Sequence, residues 1–83
     1  MVKLFMAEDD SLLVHIYEKK FKASGYEIDF AMDGEEAISK LKNMEIKPAL
    51  VLLDGQMPRK SGFEVLQEMK NDEELKNVPV IFL

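Results

Sequence analysis

One apolar run, Ala49–Leu53, constrains the fold more than any other part of the sequence. It begins directly after Pro48, ends at Asp54, and shows no alternation of polar and apolar residues. A strand of this kind is buried on both faces, which is typical of a parallel sheet covered by helices on both sides. The run therefore predicts an α/β domain in which Asp54 stands at the end of an inner strand.

The rest of the chain alternates between strand-like and helix-like segments. Strands are predicted over residues 2–7, 26–32, 49–53 and 78–83. A first helix is predicted over residues 11–24, and two more begin at Asp33 and Ser61, where Glu36 and Glu64 complete capping-box patterns. The order β-α-β-α-β-α-β predicts parallel strands that are joined by right-handed crossovers.

Helical and strand periodicity also predicts which side chains are buried. In the predicted strand that begins at Tyr26, apolar residues alternate with Glu27, Asp29 and Ala31, so the face formed by these three is expected to be exposed to water. One exposed face predicts an edge strand. His15 lies off the apolar face of the first helix, so we expect it to be exposed. The predicted buried stripes of the first and third helices are Leu13, Ile16, Tyr17 and Phe21, and Phe63, Leu66 and Met69.

Composition excludes several classes of function. With 11 basic and 16 acidic residues the net charge is −5, which argues against nucleic acid or an anionic membrane as the main partner. The chain has no cysteine, which excludes disulfides and thiolate metal sites. No apolar run approaches the roughly 20 residues of a membrane span, and the start of the chain is unlike a signal peptide. We therefore expect a cytoplasmic protein.

Acidic residues follow two of the predicted strands. Glu8, Asp9 and Asp10 come directly after the first strand, and Asp54 follows the third. If those strands are neighbours, the carboxylates converge at one edge of the sheet and raise each other's pKa unless a cation is bound. Oxygen ligands alone favour Mg²⁺ or Ca²⁺, and a site with open positions suits Mg²⁺ with a phosphate.

Each of these acids also has a purely structural interpretation. Asp10 is in position to cap the first helix, and the whole Glu8–Asp10 triplet could serve only in capping. Asp54 could be a turn-forming residue, since aspartate is common where strands end. Two acidic strand ends separated by β-α-β-α order favour the functional interpretation.

The motifs MAEDD, LLDGQMPRKSGFEVL and VPVIFL resemble the receiver domain of two-component response regulators, and the resemblance runs from Val2 to Leu83. It implies a flavodoxin-like fold with strand order 2-1-3-4. It also implies that Asp54 accepts a phosphoryl group and binds Mg²⁺ together with Asp9, while Glu8 acts through water. The resemblance further implies that the backbone carbonyl of Gln56 binds the metal. It also implies that four residues shape the loop: Gly55, Met57, Pro58 and Gly62.

Gly55 follows the implied acceptor and has no side chain to screen it. We therefore expect easy access of water or a phosphodonor to Asp54.

The family places a Ser or Thr after the fourth strand and a Lys at the end of a fifth strand, and neither is present in this sequence. Residues 1–83 are therefore expected to be a partial receiver domain that lacks the fourth helix, fifth strand and fifth helix, and its switch function is expected to be lost. A histidine kinase is the implied partner of the intact protein. The uncovered fourth strand predicts a homo-oligomer, formed through that edge or by exchange.

Two other functions remain open. One is a phosphohydrolase with an Asp nucleophile, although Gln56 stands where that class would want a second Asp. The other is a structural βα module, engineered or self-associating, with a vestigial site. The main interpretation is a regulatory phospho-acceptor that is not an enzyme.

Overall fold

Four parallel strands form the only sheet of the protein, seen in a computed structural model that describes residues 1–83, and the second strand of the chain lies beside the first, followed by the third and the fourth. This confirms the predicted α/β class and strand order. None of the helices is long and apolar enough to span a membrane. The strands are β1 (Lys3–Ala7), β2 (Glu27–Ala31), β3 (Leu50–Leu53) and β4 (Val80–Phe82), and the helices are α1 (Ser11–Ala23), α2 (Gly34–Asn43) and α3 (Gly62–Lys70).

The β1 and β3 strands lie side by side at the centre of the sheet. Their parallel register pairs Leu4 with Leu50 and Ala7 with Leu53. On the outer sides, β1 pairs with β2 and β3 pairs with β4. Because the two central strands end at the same level, the residues that follow them leave the sheet next to each other.

Helices cover the two faces of the sheet unequally. The larger core packs under α2 and α3, and the smaller one packs under α1 alone. The alternation of side chains along β1 and β3 divides their apolar residues between the two cores. The larger core includes Phe5, Ala7, Val51, Leu53, Ile38, Leu41, Val65, Met69 and Leu75, and the smaller one consists of Leu4, Met6, Ile28 and Leu52.

The predicted buried stripe of α1 was half wrong. Tyr17 and Phe21 pack against the smaller core, but Leu13 and Ile16 are 39% and 41% exposed. As the only helix on its face, α1 touches the sheet along one narrow stripe, and no helix covers its flanks. His15 is exposed, as expected.

Two other burial predictions were wrong. Phe63 is 62% exposed, and the buried stripe of α3 is formed by Val65 and Met69, which are one turn apart. Ala31 is buried in the larger core because α2 begins soon after β2 and packs over its end. The predicted strand start at Ala49 was also wrong, since this residue is exposed and precedes β3.

Side chains define where α2 and α3 begin. Asp33 accepts a hydrogen bond from the backbone N–H of Glu36 (2.8 Å). The Glu36 carboxylate reaches past the cap to accept from the N–H of Met32, so this capping box is only partly formed. At α3 the capping box between Ser61 and Glu64 is complete.

Leu75 anchors the turns between α3 and β4, a segment whose other residues are mostly polar. It is only 1% exposed and belongs to the larger core. We predict that Leu75→Ala lowers the free energy of unfolding by about 2–5 kcal/mol, because it leaves a cavity in the larger core. Urea unfolding followed by circular dichroism measures the change.

Leu12→Ala is the matched control, because Leu12 is 66% exposed on α1. It should change stability by no more than about 0.5 kcal/mol. Equal effects of the two substitutions would contradict the assignment of Leu75 to the core.

Candidate acidic site at the carboxyl edge of the sheet

Backbone hydrogen bonds continue past β1 and β3 and hold the acidic residues that follow them. The N–H of Asp54 donates to the carbonyl of Ala7 (3.0 Å), and the N–H of Glu8 donates to the carbonyl of Ala31 (3.0 Å). Both acids therefore leave the sheet from a fixed backbone rather than from a free loop.

Three carboxylates meet at this edge, as the acidic strand ends predict. Glu8, Asp9 and Asp54 each offer one oxygen, and these oxygens all lie within 4.8 Å of one another. Glu8 is 6% exposed, Asp54 is partly buried and Asp9 is exposed. An all-oxygen group with one open side fits a hard divalent cation such as Mg²⁺, which keeps several waters when it binds.

Glu8 carries the electrostatic cost of this arrangement. Burial raises the pKa of its carboxyl group, and the nearby charges of Asp54, Asp9 and Asp10 raise it further. A hydrogen bond from the N–H of Asp10 to Glu8 Oε1 (3.2 Å) acts in the opposite direction. A cation among the carboxylates would offset the repulsion and favour the ionised form of Glu8.

Asp10 does not belong to the carboxylate group. Its Oδ1 accepts hydrogen bonds from the N–H groups of Leu12 (2.9 Å) and Leu13 (3.2 Å), so it is the N-cap of α1. The capping interpretation is therefore correct for Asp10, whereas Glu8 and Asp9 face Asp54.

The loop that follows Asp54 is folded back onto the end of β3. The N–H of Gln56 donates to Asp54 Oδ1 (3.1 Å), which fixes the orientation of that carboxylate. The N–H of Gly62 donates to the carbonyl of Gly55 (3.3 Å) and closes the loop. Gly62 lies so close to Asp54 that a Cβ there would overlap the Asp54 carbonyl oxygen.

The other predicted loop residues lie between these two closing contacts. Met57 is partly buried against the larger core, and the carbonyl of Pro58 accepts from the N–H of Lys60 (2.7 Å). Gln56 is exposed. Metal binding by its backbone carbonyl stays a prediction.

An aromatic pair, which was not predicted from the sequence, borders the site. The rings of Phe63 and Phe82 stack with their centroids 4.7 Å apart, and a Cβ on Gly55 would lie 3.1 Å from the Phe63 ring. Larger side chains at position 55 would therefore have to displace Phe63. The exposure of Phe63 could have been predicted from the capping box, which places this residue in the first turn of α3, before the buried stripe begins.

Comparison with known proteins gives concordant results. A family model described as the response regulator receiver domain matches residues 4–83. The polar-differentiation response regulator DivK of Brucella anthropi is 37% identical over 78 residues, which are 94% of this chain and 62% of DivK. The chain thus spans less than two thirds of the length of this curated relative.

Solved structures show the same fold. The N-terminal domain of a response regulator receiver protein from Methanoculleus marisnigri has a TM-score of 0.91 at 28% identity, over 99% of this chain and 65% of that one. The phosphorylated cyanobacterial phytochrome response regulator RcpA has a TM-score of 0.88 at 32% identity, over 98% and 63% of the two chains.

The raised pKa of Glu8 predicts a pH effect on stability without metal. A carboxyl group with a raised pKa binds its proton more tightly in the folded state than in the unfolded state. Its contribution to the free energy of unfolding therefore falls as the pH rises from the ordinary pKa of 4.5 through that raised pKa. We predict that Glu8→Gln unfolds at a higher urea concentration than wild type at neutral pH, and that the difference shrinks as the pH falls towards 4.5. Urea titrations in the presence of a chelator measure this.

Glu45→Gln is the control, since Glu45 is exposed and far from the carboxylate group in the sequence. It should leave the pH dependence unchanged. A difference between wild type and Glu8→Gln that is constant with pH would contradict the electrostatic explanation.

Proposed function

This chain belongs to the family of response regulator receiver domains, and from that premise we propose that Asp54 is the residue that accepts the phosphoryl group. The observation that carries the proposal is the group of carboxylates, in which Asp54 stands with Glu8 and Asp9. The hydrogen bond from the Gln56 N–H further supports it, because it leaves the second oxygen, Oδ2, available for the reaction.

The proposed reaction is a phosphoryl transfer in which the ionised Asp54 is the nucleophile. Its oxygen attacks the phosphorus of the donor and forms an O–P bond. The bond from phosphorus to the donor breaks, and its electron pair leaves with the donor. Such transfers depend on positioning and on neutralising charge more than on proton transfer.

We propose that Mg²⁺ is the metal of this site, held by Asp9, Asp54 and the Gln56 carbonyl, with Glu8 acting through water. When bound, it supplies positive charge against the phosphoryl oxygens. The buried position and raised pKa of Glu8 support a role in balancing that charge.

The proposed donor is the phosphohistidine of a histidine kinase. The curated relatives are response regulators by name, and RcpA, at 32% identity, was solved in a phosphorylated state. Residues 1–83 would then carry the acceptor and metal-binding part of a receiver site in a regulatory role rather than an enzymatic one.

Intact mass spectrometry after incubation with Mg²⁺ and acetyl phosphate tests the proposal. We expect wild type to gain one phosphoryl group and Asp54→Asn to gain none. Asp10→Asn is the matched control, because asparagine caps helices as well as aspartate does and the adduct should persist.

The other outcomes separate the alternatives. Consumption of the donor without an adduct would favour a phosphohydrolase, and no reaction would favour a structural module with a vestigial site. An adduct that persists in Asp54→Asn would contradict the assignment of the acceptor.

We also propose that the 83-residue chain self-associates through β4. The backbone groups of Pro79 and Leu83 bond to β3, so by alternation those of Val80 and Phe82 face the open edge of the sheet. Ile81 is 52% exposed beside that edge. An edge with free backbone groups and apolar side chains can pair with the same edge of a second copy.

Light scattering over a range of concentrations tests the self-association. We expect wild type to approach the mass of a dimer and Ile81→Lys to remain a monomer, because a lysine beside an edge strand opposes pairing. Leu12→Lys, on the exposed part of α1, is the control and should still associate. A wild-type protein that is monomeric at every concentration would rule out the proposal.

A further inference from the structure

We propose that Gly34, the first residue of α2, is a positioning residue for the loop between Asp54 and α3. The inference rests on the proposed role of Asp54 and names a contact, outside the carboxylate group, that sets its geometry. Gly34 lies on a different element from Asp54, but it is packed directly against Lys60, in the loop between Asp54 and α3.

The contact between Gly34 and Lys60 leaves no room for a side chain. A Cβ on Gly34 would overlap the carbonyl oxygen of Lys60 and would lie 2.5 Å from its Cβ. Unlike Gly25, whose φ is +88°, Gly34 does not have a positive φ. Its backbone would accept alanine, which forms helices better, so glycine is required here by the closeness of the loop.

A second contact joins the same two segments. Asp33, the N-cap of α2, has its Oδ2 3.7 Å from Nε of Arg59. Arg59 has a φ of 69°, a left-handed conformation that residues other than glycine seldom adopt. The loop therefore holds an unfavourable backbone conformation at the residue that meets the start of α2.

The side chain of Lys60 also joins the loop to α3. The Lys60 ammonium pairs with the Glu68 carboxylate, and this hydrogen bond raises the pKa of Lys60. The middle of the loop is thus held between α2, through Asp33 and Gly34, and α3, through Glu68. Moving Lys60 away from Gly34 would therefore also disturb the ion pair between Lys60 and Glu68.

Displacement of Lys60 would reach the acceptor because the loop is closed at both ends. Gly62 is in contact with the Asp54 backbone, and the Gln56 N–H is bonded to the Asp54 carboxylate. Because Gly62 is held against the Asp54 backbone, a shift at Lys60 would be transmitted along the loop to Gln56. The orientation of the Asp54 carboxylate and the place of the Gln56 carbonyl would then both change.

The test compares Gly34→Ala with Ser39→Ala, an exposed position on the same helix. In metal-free ¹H–¹⁵N spectra we expect Gly34→Ala to shift the amide resonances of Gly55 and Gln56, while those of β1 stay in place. We expect phosphorylation by acetyl phosphate at limiting Mg²⁺ to slow about tenfold, since small misplacements of reacting groups have large effects. Ser39→Ala should change neither measurement.

A milder variant covers the case in which Gly34→Ala does not fold. Asp33→Ser keeps a good N-cap but removes the charge that faces Arg59, and it should shift the same two amides by a smaller amount. In that case, resonances of Gly55 and Gln56 that are unchanged in Asp33→Ser would overturn the proposal.

The outcomes also separate this inference from the proposed function. If Gly34→Ala folds and leaves the two amides and the phosphorylation rate at wild-type values, the positioning role is wrong and the acceptor role stands. If wild type is never phosphorylated, the acceptor role fails. The amide shifts would then still show whether Gly34 sets the loop.

Discussion

Parallel pairing of β1 with β3 is the interaction on which the site depends. The register that pairs Ala7 with Leu53 ends both strands at one level and brings Glu8 and Asp9 to Asp54. A slip by one residue would turn every side chain of a strand to the opposite face. The two cores prevent such a slip, because each takes alternate residues of both strands. The apolar pattern therefore fixes the place of the carboxylates, although those carboxylates repel one another.

Sequence periodicity predicted the elements well and the burial of individual residues less well. The run that ends at Leu53 was enough to indicate an inner strand, and the capping residues Asp33 and Ser61 marked the starts of two helices. Exposure of Leu13 and Phe63 could not be predicted this way. Periodicity tells which residues share a face, but what covers that face depends on the other elements.

The site, too, could be predicted from the sequence only in part. The sequence could predict that acids meet where two strands end, because parallel strands end at a common edge. It placed Asp10 at the cap of the first helix but left open whether Glu8 and Asp9 serve only in capping. In the structure Asp10 caps α1, while Glu8 and Asp9 face Asp54. Contacts made across the fold, such as that of Gly34 with Lys60, have no local signature in the sequence.

The single helix on one face of the sheet has a dynamic consequence. α1 has no fully buried residue, so its detachment from the sheet would leave the larger core intact and would need less free energy than global unfolding. Asp10 couples this motion to the acidic edge, because it caps α1 with its carboxylate and donates its N–H to Glu8. Local opening of α1 would thus remove a hydrogen bond from the most buried acid of the site. By linkage, a ligand that binds only the closed arrangement would slow hydrogen exchange along the whole helix.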